Sequence, residues 1–361
     1  MSVLPESESI EQDTPKSASP PARRASPASS LASRLVWGLV FGFLVMLGLL
    51  LLGDLRQVGQ ALGDFHWAYF PAAIGLTLFN YTLRFFKFHY YLGLVGVRLG
   101  VGGFPLRQSA RLFVAGFPLA VTPAKAGEAL KAVWLQRATG LPVAQGVAVV
   151  VAERLSDGLA VLALATLGVV AYPQYWPAFL ALLALLGGVV IVLQVRPLAT
   201  WFLALGERLP LVKKMIPALR QFYEGSYRLF RPAPALLAVG LGVLSWLGEG
   251  IGFYLILLGL GLPPSWELAT LAVFILSFST LVGAVSSLPG GLGAAEASIA
   301  GMLVLLASVP AETAAAATLL IRFATLWLGV SLGLLVWAFT PSLFRLEASL
   351  EADQPASPES A

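Results

Sequence analysis

The chain has 361 residues, 58% of them hydrophobic and only 12% charged, with a mean hydropathy of +0.82. A soluble domain cannot hide that much apolar surface, so the composition predicts a polytopic membrane protein of the all-α class. The absence of cysteine excludes disulfides and thiolate metal sites, and two histidines, His66 and His89, argue against a histidine-based metal or catalytic cluster.

Residues 1–33 are rich in Ser, Pro and charge and carry no apolar period, which predicts a disordered cytoplasmic tail too polar to be a signal peptide. The membrane domain is expected over 34–340, followed by a second polar tail over 341–361. Apolar runs of about 20 residues predict six full spans, at 35–53, 67–83, 142–171, 178–195, 233–261 and 312–339. Two further apolar regions, 105–138 and 267–308, are interrupted, the first by "FPLAVTPAKAGE" and the second by "SSLPGGLGAAE". Proline removes a helix donor, and such breaks survive at membrane depth only where the freed backbone faces protein or a wet cavity. Each region is therefore predicted to be a re-entrant hairpin. The backbone at Pro123 and Gly127 shapes the first, and that at Pro289, Gly290, Gly291 and Gly293 the second.

Positive charge sets the orientation. Arg84, Lys87, Arg98, Arg107 and Arg111 are assigned to a connection after the second span, and the loop over 196–232 is also basic. Both are placed in the cytoplasm. Within that loop, "LVKKMIPALRQFYEGSYRLF" reads as an amphipathic helix on the inner leaflet, or equally as a solvated connector. Six spans and two hairpins put both termini in the cytoplasm, in an inner-membrane protein.

The two broken regions resemble each other. The step from Pro142 to Arg154 equals that from Pro310 to Arg322, and Pro123 to Gly127 matches Pro289 to Gly293. Two copies of one unit follow, over about 105–171 and 267–339. Three spans between them invert the second copy. The hairpin tips then meet near the midplane, as in transporters built from inverted repeats; if 267–287 spans fully, the copies are parallel instead. The N–H groups that begin the half-helix after "PGGLG" would suit an anionic head group.

Charged side chains at membrane depth cost about 2.5–3.5 kcal/mol each, so they are expected to face a cavity and to have partners. Glu153, Arg154 and Asp157 interrupt one long apolar helix, and Arg154 can pair with Asp157 one turn away. Glu249 and Arg322 form a second candidate pair. Glu128 and Glu296 sit just past the breaks. Lys125 and Lys131 flank Glu128 and either join the site or snorkel to the interface. Arg154 and Arg322 suit a lipid phosphate, since the guanidinium fork binds two oxygens. The carboxylates would balance them, take up a proton or sodium ion, or hold an amine. A purely structural role for these pairs is the competing reading. No ATP-binding loop is visible.

Together, "TPAKAGEALKAVWLQRATGLPVAQGVAVVVAERLSDGLAV" and "SSLPGGLGAAEASIAGMLVLLASVPAETAAAATLLIRFATLWLGV" resemble the lysylphosphatidylglycerol synthase transmembrane-region family, flippase-like membrane proteins, over about 35–340. The resemblance implies movement of a phospholipid or a phosphate-bearing glycolipid between leaflets. The soluble aminoacyl-transfer domain found in some relatives has no room before residue 361, so lipid aminoacylation is not expected. The chain is read as a transporter rather than an enzyme, with a membrane lipid as substrate and no cofactor, metal or nucleic acid. The alternative is a non-transport subunit that docks a glycosyltransferase or a lipid-modifying enzyme.

Overall fold

The structure is a computed structural model, and it describes residues 55–122, 127–169 and 176–340 together with scattered positions between 36 and 48. Pro123, Lys125, both tails and most of the expected first span lie outside the described residues. Among the described residues the fold is all-α, with one isolated bridge between Leu99 and Phe104.

In chain order the helices are α1 (Leu55–Gly63), α2 (Tyr69–Leu94), α3 (Leu106–Ala115), α4 (Leu130–Thr139), α5 (Val143–Val169), α6 (Trp176–Gln194), α7 (Arg196–Glu207), α8 (Ile216–Leu229), α9 (Pro232–Gly259), α10 (Trp266–Val285), α11 (Ala294–Ala307), α12 (Ala311–Arg322) and α13 (Leu328–Phe339). A single turn of π-helix, Phe323–Trp327, joins α12 to α13. By length and composition, four segments can cross a membrane: Pro232–Gly259, Trp266–Val285, Pro289–Ala307 and Ala311–Phe339. A fifth is available if α6 and α7, bent by 88°, count as one. Helix α5 is also long, at 27 residues, but carries Glu153, Arg154 and Asp157.

Helices α2 and α9 form the tightest pairing. Glycines one turn apart on α9 make it possible: an added Cβ on Gly252 would meet the Ala73 carbonyl oxygen at 3.5 Å, and one on Gly248 the Leu76 carbonyl oxygen at 3.6 Å. Small residues let backbones approach where lipid offers no hydrophobic gain from association. Large apolar side chains face outward instead, with Leu236 and Leu305 each 76% exposed.

Two large apolar cores result, beside two small clusters. One gathers Phe253, Ile256, Phe274 and Leu303 with Val161 and Ala165 of α5. The other gathers Phe88, Tyr91, Trp134 and Leu135 with Val149 and Ala152 of the same helix. The stretch of α5 between them holds Glu153, Arg154 and Asp157.

Two expectations need revision. The second predicted span ends at residue 83, yet α2 continues to Leu94, so Arg84 and Lys87 are helical and interior rather than loop charges. Arg98, Arg107 and Arg111 do remain exposed. The amphipathic helix α8 spends its apolar side, including Ile216, Tyr223 and Leu229, on protein, mainly α5. It is α7 that presents Trp201, Phe202 and Leu205 outward. The two broken regions also differ in length. The arms α3 and α4 have 10 residues each, about 15 Å and too short to cross, whereas α10 has 20 residues, about 30 Å and long enough to cross alone.

A buried charged site where the two breaks meet

The second break is built from three left-handed glycines. Gly290, Gly291 and Gly293 have φ of 63°, 68° and 87°, a region costly for residues with a Cβ. Gly291 also lies against α10, where an added Cβ would come within 3.0 Å of Gly283 Cα. The turn consumes its own amides: Gly291 N–H donates to Leu288 O at 2.9 Å and Leu292 N–H to Pro289 O at 3.0 Å. Glu296 Oε2 accepts from Gly293 N–H at 2.6 Å, which is the carboxylate half of a capping box. At the start of α11, expected to receive an anionic head group, the protein's own carboxylate thus occupies the N–H of Gly293. That is why a glutamate follows the Pro-Gly-Gly turn.

The first break is closed by Thr122, whose Oγ1 accepts from Gly127 N–H at 2.9 Å. The breaks touch: an added Cβ on Gly290 would lie 3.3 Å from Val121 Cγ1.

Around this contact the ionisable residues pair across helices, not along them. Arg154 Nε donates to Glu128 Oε2 at 2.8 Å, and Arg322 Nε lies 2.5 Å from Glu296 Oε1. In both units the glutamate just past the break holds an arginine 26 positions later in the chain. Arg322 Nη2 also donates to Gly290 O at 3.1 Å, so it clamps the break itself. Lys131 Nζ donates to Glu153 Oε2 at 2.9 Å and faces the rings of Phe88 and Phe113 at 4.7 and 5.3 Å. Asp157 receives both Lys87 Nζ and, at 3.1 Å, Arg84 Nη2. The expected pairs are thus replaced: Arg154 is bound to Glu128 and not to Asp157, and Arg322 to Glu296 and not to Glu249. Lys131 does not snorkel; it is buried.

A cavity of about 170 Å³ lies at the centre, below the roughly 300–1,000 Å³ of typical small-molecule sites. It has room for a small polar group only. Arg84, Lys131, Arg154 and Arg322 line it, with Glu249 as the one acidic residue. Glu128, Glu153, Asp157 and Glu296 do not line it; they are buried behind the cations they hold. The result is a layered charge distribution, positive toward the cavity and negative behind. Arg84 Nε is buried with no hydrogen-bond partner among the described residues. Tyr81 also lines the space, and its hydroxyl donates to Thr325 O at 2.6 Å, within the π-helical turn that follows Arg322. Such turns recur at functional sites.

Of the site residues expected from sequence, Arg154, Arg322, Lys131, Glu249, Gly290 and Gly291 reach the cavity. Gly127 and Gly293 shape the turns beside it. Sequence reasoning missed Arg84, Lys87, Tyr81 and Trp246, whose ring stacks on Arg84 at 5.6 Å. A signal for them does exist. After Arg84 the apolar period continues through Phe85, Phe86, Phe88, Tyr91 and Leu92, which marks a helix carrying charge on one face.

Fold and site together define a polytopic α-helical membrane protein with a cation-lined cavity between two broken helical segments. The chain belongs to the family described as the lysylphosphatidylglycerol synthase TM region, which matches residues 36–333. It is also 27% identical over 234 residues to a "UPF0104 membrane protein" of Methanothermobacter thermautotrophicus, an alignment that covers 58% of this chain and 66% of that one, just under two thirds of the relative's length.

Proposed function

We propose that the protein moves a phospholipid or a phosphate-bearing glycolipid between leaflets, with the phosphate held by Arg154 and Arg322 in the central cavity. The observation that carries this reading is the layering of charge. Four basic side chains face one space while the carboxylates that balance them stand behind. Cations oriented into a recess of low dielectric attract an anion more strongly than cations on an open surface. Arginine adds bidentate geometry. The size of the cavity fits a head group, and the apolar outer surface leaves acyl chains in the bilayer.

In this reading the two broken units are inverted copies that meet at their tips. Support comes from the touching breaks and from the equivalent Glu128–Arg154 and Glu296–Arg322 pairs. The length of α10 favours the parallel alternative. The protein resides in the inner membrane with both termini cytoplasmic.

The test is leaflet exchange of a fluorescent anionic phospholipid in proteoliposomes. Arg154→Lys and Arg322→Lys keep charge but lose the fork. Each should insert normally and exchange lipid at least tenfold more slowly, the loss of about 1.4 kcal/mol of binding. Wild-type exchange in both lysine variants would refute the phosphate site. In a chain without cysteine, single cysteines beside Thr122 and beside Leu288 should be labelled from opposite faces; labelling from one face would refute the inversion.

A further inference from the structure

Glu249 differs from the other acids of the cluster. Glu128, Glu153, Asp157 and Glu296 are each in direct contact with a basic side chain. Glu249 is 5% exposed and lines the cavity, yet it makes no salt bridge or hydrogen bond among the described residues. Its charge is met only through space, by Arg84 and Arg322, and it is opposed by Asp157.

The elements packed on α9 supply most of the other ionisable groups near it. Helix α2 brings Tyr81, Arg84 and Lys87; α5 brings Glu153, Arg154 and Asp157; α12 brings Arg322. Helix α10 brings only hydroxyls, since Glu267 sits in its first turn at the far end. With Lys131, Glu128 and Glu296 from the breaks, five basic residues face five acidic ones, and the empty site is neutral only when Glu249 is ionised. A phosphodiester entering this cavity adds one negative charge. An uncompensated charge in a low-dielectric interior is costly, so one carboxylate must be neutralised. Four are held by ion pairs, and breaking any of these would strand a cation. Glu249 alone can be neutralised without breaking a contact.

We propose that Glu249 couples proton movement to lipid movement: it takes up a proton from water as the anionic phosphate enters the cavity and is held by Arg154 and Arg322, and releases it when the phosphate leaves. This rests on the anion site proposed above. Because binding favours the protonated carboxyl, affinity is higher at low pH and falls by up to about tenfold per pH unit once Glu249 is ionised in the empty site.

The probe is dihexanoyl phosphatidylglycerol below its micelle concentration, a phosphodiester whose own charge is constant around neutrality. Calorimetric titration of the full chain in buffers of different ionisation enthalpy counts the protons taken up. The wild type should take up close to one proton per bound lipid, with affinity falling as pH rises. Glu249→Gln, which imitates the protonated form, should bind without proton uptake and with a flat pH profile, while exchange driven by a pH gradient is lost. Wild-type binding with no proton uptake would overturn the coupling and leave the anion site standing. Proton uptake by Glu249→Gln equal to that of the wild type would overturn the assignment to Glu249. Absence of probe binding at any pH, or binding undiminished in Arg154→Leu with Arg322→Leu, would overturn the anion site and the coupling with it.

Discussion

Substitution of Lys87 and Asp157, singly and together, separates the observed pairing from the one that adjacency in sequence favours. Lys87 and Asp157 come from α2 and α5 and their side chains are only 1% and 7% exposed. Removing one partner of a buried pair costs about 3–5 kcal/mol, because the other charge is left alone. Asp157→Leu should reach the upper part of that range, since it strands both Lys87 and Arg84. Lys87→Met should cost less, about 1–3 kcal/mol, because Asp157 keeps Arg84. In the double variant one stranded charge disappears, so the coupling energy should be about 2–3 kcal/mol. Arg154 and Asp157, one turn apart on α5, share no ion pair, and their cycle should give under about 1 kcal/mol. The assay is equilibrium unfolding in mixed micelles. A coupling for Arg154–Asp157 equal to or above that for Lys87–Asp157 would refute the cross-helix pairing, and with it the layered site.

Gly291→Ala should cost about 1–2 kcal/mol for its left-handed φ, with a further loss from contact with Gly283, and should slow lipid exchange. Gly140→Ala, at φ 74° with open space around it, serves as the control that carries the backbone cost alone and keeps exchange intact. Tyr81→Phe removes the hydrogen bond to Thr325 O and should lower stability by about 0.5–1.5 kcal/mol in the same unfolding assay, with insertion unchanged.

What the sequence discloses here is decided by the solvent. In a bilayer every ionisable residue inside an apolar run is conspicuous, so Glu128, Lys131, Glu153, Arg154, Asp157, Glu249, Glu296 and Arg322 stand out from the amino-acid order alone. The breaks are equally visible, because Pro-Gly-Gly has no other use inside an apolar segment. Partner choice is not visible. Adjacency on α5 favours Arg154 with Asp157, but the side chain of Arg154 turns toward the first break, where Glu128 waits, and Asp157 faces α2. The same rule that orients membrane proteins by their basic loops hides Arg84 and Lys87. Counting positive charge treats every Arg or Lys after a span as cytoplasmic, whereas these two sit on the interior face of a helix that runs well past its most apolar part.

The layering also explains how such a site persists in the membrane. A cluster of bare cations at this depth would not insert cheaply, and a cluster of closed ion pairs would have no use for an anion. Here each cation is tethered from behind, Arg154 by Glu128, Arg322 by Glu296, Lys131 by Glu153 and Arg84 by Asp157, which offsets the insertion cost while leaving the opposite side of each group turned to the cavity. Each broken unit tethers its own arginine, and α2 is tied to the first unit through Asp157, so the positive lining is assembled from both units. The two units present their arginines unequally, Arg154 being 36% exposed at the side chain and Arg322 13%. Arg322 holds the carbonyl of Gly290 and the glutamate that caps the next helix at the same time, so an anion bound there, as proposed, would pull on the break itself.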